Sequence, residues 1–150
     1  MLRRPVKRLR SGRYELRLSP DEREVLRDLP RQLKEMLART DDPALKRLFP
    51  PAYVDDPKKE AEYRELVGAD LLQGRQAALD IMAATVDATD LDEEQITAWL
   101  SSINDLRLVI GTQLDVSEDD IRLDTPLEHL YYYLGHLEEA VVAALASRFD

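Results

Sequence analysis

Four times along this chain a polar acceptor stands directly before a proline: Ser19-Pro20, Asp42-Pro43, Asp56-Pro57 and Thr125-Pro126. Proline has no N–H to lose and a φ close to the helical value, so it suits the first helical position. The oxygen before it accepts from free amides of the first turn. Each pair therefore predicts a helix start. Glu22 and Glu128, three residues after Ser19 and Thr125, complete capping-box patterns, and Asp92-Glu93-Glu94-Gln95 reads as one more start with Asp92 as the cap. A cap of this kind stabilises its helix by about 1 kcal/mol.

Two of those pairs belong to Asp-Asp-Pro triplets, and Asp41, Asp42, Asp55 and Asp56 together could instead hold a divalent cation. A cation would need both pairs drawn within a few ångströms and several further oxygen ligands. Capping needs only the local chain, so helix punctuation is the expected role and no metal is expected.

After Ser19, the residues Val25, Leu26, Leu29, Leu33, Met36 and Leu37 recur at helical steps and form one stripe. Pro30 falls inside it, removing a hydrogen bond and disfavouring helical angles at Leu29, so a kink or two short helices are predicted. A short helix over Ala44 to Phe49, ended by Pro50-Pro51, is expected next. The helix from Pro57 would bury Ala61, Leu66, Val67, Leu71, Ala78, Leu79 and Met82. Gly68 and Gly74 lie within it at about 1 kcal/mol each relative to alanine, which close packing or a break would explain. Ile96, Trp99, Leu100, Ile103, Leu106 and Ile110 define the clearest core helix, with Gly111 near its end. The last helix carries Leu127, Leu130, Tyr131, Leu134, Leu137, Val141 and Leu145 on one side.

Ahead of the helices, Tyr14 to Leu18 alternates polar and apolar as a half-covered strand does. Arg10-Ser11-Gly12-Arg13 can turn the chain, making Pro5–Leu9 the other arm of a hairpin. The expected architecture is mainly α. About five helices form one orthogonal or bundle-like domain over residues 19–150, preceded by a basic N-terminal arm, residues 1–18, with a short β-strand or hairpin.

A chain of 150 residues suits one domain, and it lacks cysteine, so disulfides, thiolate metal sites and a thiol redox switch are excluded within it. The longest apolar run, Ala140 to Ala146, is too short to span a bilayer. The basic N-terminus leads into Ser11-Gly12-Arg13-Tyr14 rather than an apolar segment, so no secretion signal is expected and the cytoplasm is the expected location. Charge is divided unevenly. Residues 1–17 hold seven basic side chains against Glu15, a net of +6, in a chain of net −9. Residues 87–150 hold fifteen acids and three arginines, a net of −12. Such a division favours a polyanion at one end and a basic partner at the other.

The segments LFPPAYVDDP and EYREL, then LDEEQITAWLSSINDLRLVIGTQLDV, then the Tyr-rich start of the last helix, resemble the AosR-like family of actinobacteria. The resemblance runs from about Ser19 to Ser147 and is most specific over Leu91–Leu114. It implies a small cytoplasmic helical protein that regulates transcription in oxidative-stress responses, engaging a sigma factor. Redox sensing through a cysteine pair would not carry over, because this chain has none.

Several side chains are candidates for contact. Arg3, Arg4, Lys7, Arg8, Arg10 and Arg13 would neutralise nucleic-acid phosphates or simply form a solvated terminus; no recognition helix follows them. His129 and His136 lie seven residues apart, a spacing unlike helical zinc ligands, and no third ligand accompanies them. With Tyr132 and Tyr133 they are the candidate partner-binding residues, since tyrosine is enriched at interfaces. Arg107, beside Asn104 and Asp105, would pair with a carboxylate on a neighbouring helix. No nucleophile–base pair, phosphate loop or zinc motif is present, and no cofactor is expected.

The expected function is therefore non-enzymatic regulation through protein contact with the transcription machinery. The alternatives are autonomous DNA binding through the basic arm, and an enzyme or metal-binding protein using the Asp and His residues. The apolar stripe of the last helix, rimmed by tyrosine, also suggests a homodimer.

Overall fold

The computed structural model describes residues 4–39, 43–45, 47–49, 52–116 and 125–147. Strands β1 (Val6–Arg8) and β2 (Tyr14–Leu16) come first, then α1 (Pro20–Leu37), a single 3-10 turn at Pro43–Leu45, and α2 (Pro57–Thr85). Strand β3 (Asp90–Leu91), α3 (Glu93–Val116) and α4 (Pro126–Ala146) complete the order.

The helix starts fall where capping chemistry puts them. Ser19 Oγ accepts from Glu22 N at 3.1 Å while Glu22 Oε1 accepts from Ser19 N at 3.2 Å. Asp56 accepts from Lys59 N at 3.1 Å, and Thr125 accepts from Glu128 N at 3.2 Å. Asp92 and Gln95 form a reciprocal box at 2.8 and 2.9 Å. Asp42 lies outside the described residues, and among the described residues of the short helix expected after it, a 3-10 turn forms at Pro43–Leu45.

Four local expectations are corrected. α1 is unbroken through Pro30, which is itself buried alongside Leu26, Leu33 and Leu37, so apolar burial offsets the lost backbone bond. α2 is one helix of 29 residues through Gly68 and Gly74, and a Cβ at either glycine would meet nothing within 4 Å. They mark neither a break nor a close approach. Of the apolar set expected in α2, Leu79 and Met82 are buried, whereas Leu66 and Leu71 are 80% and 45% exposed. The first half of α2 lies clear of the core. Lastly, Gly111 sits inside α3, which runs on to Val116. There a Cβ would come within 3.1 Å of the Arg47 guanidinium and 3.3 Å of the Tyr131 ring, so glycine admits both side chains close to α3.

The hairpin forms as expected and gains a third strand. β1, β2 and β3 make an antiparallel sheet in that order, with Val6 opposite Leu16 and Tyr14 opposite both Arg8 and Leu91. Gly12, at φ +89°, supplies the left-handed turn residue between β1 and β2. Val6, Tyr14 and Leu16 are buried in the same cluster as the helices. Helix α3 lies at the centre, packed on α2 and α4, with Ile96, Trp99 and Ile103 wholly buried. The Trp99 indole N–H donates to Thr85 Oγ1 at 2.7 Å, and that hydroxyl donates to Ile81 O at 2.7 Å. The stripe expected to pair two copies, Leu134, Leu137 and Val141, is buried within the chain. No helix among the described residues is long and apolar enough to cross a membrane.

Candidate functional site

Helix α4 gathers the candidate contact residues. His129, Tyr132, Tyr133 and His136 occupy positions i, i+3, i+4 and i+7, and so share one side of the helix. The opposite side, centred on Leu134, Leu137 and Val141, is held by α3. Tyr132 is 67% exposed and stacks edge-to-face on Tyr131 at 5.8 Å. His129 and His136 are exposed as well. Tyr133 is half-buried, and its hydroxyl donates to Glu22 Oε2 at 2.7 Å, tying α4 to the capping box of α1. Burial and the Glu22 carboxylate push the Tyr133 phenol well above its ordinary pKa. Tyr133 therefore positions the strip, while Tyr132 and the histidines present it.

The basic candidates divide by role. Arg13 pairs with Asp90 at 2.6 Å, joining the hairpin to β3. Arg8 donates to Ser147 O at 2.6 Å, at the C-terminal end of α4, and its guanidinium lies 5.6 Å over the Tyr14 ring. Arg4, Lys7 and Arg10 are exposed, and Arg3 lies outside the described residues.

Of the Asp-Asp-Pro aspartates, Asp56 caps α2, Asp55 is exposed, and Asp41 and Asp42 lie outside the described residues. Glu60, in the first turn of α2, accepts from Ala52 N at 2.7 Å and Tyr53 N at 3.1 Å. Partial desolvation raises its pKa, but those amides and Arg64 outweigh it, leaving the carboxyl below its ordinary value. Among the described residues, no group of three His, Asp or Glu side chains is placed to hold a metal.

The central polar contacts run between helices. Arg107 on α3 pairs with Glu138 on α4 at 2.8 Å, as its position suggests, and lies 4.8 Å over the Tyr131 ring. Asp105, 2% exposed, pairs with Arg75 of α2, which also donates to Leu48 O at 2.9 Å. Burial pushes the Asp105 carboxyl up while Arg75 opposes the shift. Arg75 carries no sequence signal: it follows Gly74 in a stretch of α2 that buries little, and its partner lies 30 residues on.

These features define a mainly helical fold in which the polar groups of the interior fasten helix to helix, and in which the candidate contact residues stand on a basic hairpin and on one side of α4. Residues 3–145 match the family described as Domain of unknown function (DUF2017), and the chain belongs to that family. It is 28% identical over 130 residues to the "Putative oxidative stress regulator AosR" of Mycobacterium leprae (strain TN). The "Oxidative stress regulator AosR" of Mycobacterium tuberculosis (strain ATCC 25618 / H37Rv) and that of Mycobacterium bovis show the same identity. Each alignment covers 71% of this chain and 60% of the relative, so the chain spans about three-fifths of the length of these curated relatives. The AosR-like resemblance seen in the motifs thus holds. No solved structure matches the chain.

Proposed function

We propose that this chain is a non-enzymatic regulatory protein that acts in the cytoplasm by binding a protein of the transcription machinery in a stress response, with a sigma factor as the partner that the AosR-like resemblance implies. The relatives' names, as oxidative stress regulators, support a regulatory role. The observation that carries the contact is the α4 strip, where exposed Tyr132, His129 and His136 are held in register by Tyr133 and its bond to Glu22. The strip stands on a body of strong negative charge, so a partner bearing Arg and Lys meets it at a rate that salt reduces. The test is affinity capture from a cell extract with the wild type and with Tyr132→Glu. Recovery of a polymerase or sigma-factor subunit, diminished by the substitution and by high salt, is expected. Recovery of no such subunit at any salt concentration overturns the reading.

Autonomous DNA binding by the arm is the second reading, and exposed Arg4, Lys7 and Arg10 favour it. Arg8 and Arg13 are engaged within the fold, which leaves fewer phosphate contacts than the count of arginines suggests. A gel shift lost in an Arg4→Glu/Lys7→Glu/Arg10→Glu variant would support it.

A further inference from the structure

A cleft of about 470 Å3 lies between β1 and the C-terminal half of α4. Arg4, Lys7 and Arg10 border it on the hairpin side, and none of the three forms an ion pair among the described residues. On the facing wall α4 places exposed His136, Glu139 and Ala143, while half-buried Ala140 and buried Ala144, with Val6 of β1, give the cleft its apolar floor. Arg8 braces the two walls through its bond to Ser147 O and its seat over Tyr14, so the cleft is built on fixed elements. The partner strip of α4 shares only His136 with it.

We propose that this cleft is a docking site for an acidic, leucine-bearing peptide segment of a protein partner. Charge complementarity chooses that occupant, because three exposed cations converge on one cleft in a molecule of net charge −9. The apolar floor matches an aliphatic side chain, whose burial adds affinity that carboxylates alone do not supply. A nucleic-acid backbone makes no use of that floor. Running out of the cleft, it would meet Glu139 and then the acidic body of the molecule. The inference stands apart from the regulatory reading: the cleft can fail while the α4 strip still recovers its partner, and the reverse.

Fluorescence anisotropy with a fluorescein-labelled peptide of about twelve residues, built from Asp, Glu and Leu, tests it. Saturable binding at low salt is expected, weakened about tenfold by Arg4→Glu together with Arg10→Glu. Both positions are exposed, so the thermal midpoint should not move. A peptide of equal charge with Ser in place of Leu should bind at least about threefold more weakly, because it leaves the floor uncovered. Three outcomes overturn the proposal: binding indifferent to the charge reversals, equal binding of the Ser peptide, or tighter binding of a single-stranded oligonucleotide of matched charge.

Discussion

Asp105 is buried on α3, and burial lifts its carboxyl above the ordinary carboxylate value while Arg75 of α2 pulls it down. A folded-state pKa above the unfolded one gives stability that is fully present below the unfolded value. That stability is lost as pH rises through the folded value. Arg75→Met removes the opposing charge, so the carboxyl should titrate higher still, as carboxyl-carbon NMR would show. Urea unfolding of this variant should reveal a loss of about 3 kcal/mol at neutral pH, because one member of a buried pair is left alone. The loss should shrink as pH falls and the carboxyl takes up a proton. Thr85→Val should cost about 1–2 kcal/mol by leaving the Trp99 indole N–H buried without an acceptor, read from the urea midpoint. Trp99 and Arg107 were legible as important from their place in a periodic helix, and the Arg107 partner lies on the adjoining helix as expected. Thr85 and Arg75 were not, since each matters only through a side chain on another element.

Helix α2 is the element whose sequence and environment disagree most. Its glycines face open space, so Gly68→Ala and Gly74→Ala should each stabilise by about 0.5–1 kcal/mol and should add, since backbone entropy is the main term. Gly135 in α4 has the same propensity and the opposite surroundings: a Cβ there would come 3.3 Å from Arg107 Nε and Nη2. That guanidinium is held by Glu138 and by the Tyr131 ring. Gly135→Ala should therefore gain much less than the α2 changes, or lose stability, in the same urea series. Helix starts were readable because a cap and its amide lie three residues apart. The apolar set of α2 was misread because periodicity describes a face without saying whether another element covers it. Leu66 is the plainest case, at 80% exposure.

Across the whole molecule, the hairpin is part of the core. Val6, Tyr14 and Leu16 are buried against the helices, and β3, which pairs with β2, leads directly into α3. Tyr14→Ala should cost about 3 kcal/mol or more in urea unfolding, as for other large aromatic truncations in a core. If it costs less than about 1 kcal/mol, the hairpin is not integral to the core. The sequence by itself determined where helices begin, that the fold is mainly α, and how charge divides between a basic start and an acidic body. Those properties depend on neighbours along the chain or on simple sums. Tertiary structure alone decided which half of α2 is covered, that Pro30 stays inside one helix, that a two-residue strand completes the sheet, and that Arg75 meets Asp105. Each of these turns on surfaces brought together from distant parts of the chain, where burial and desolvation outweigh local preference.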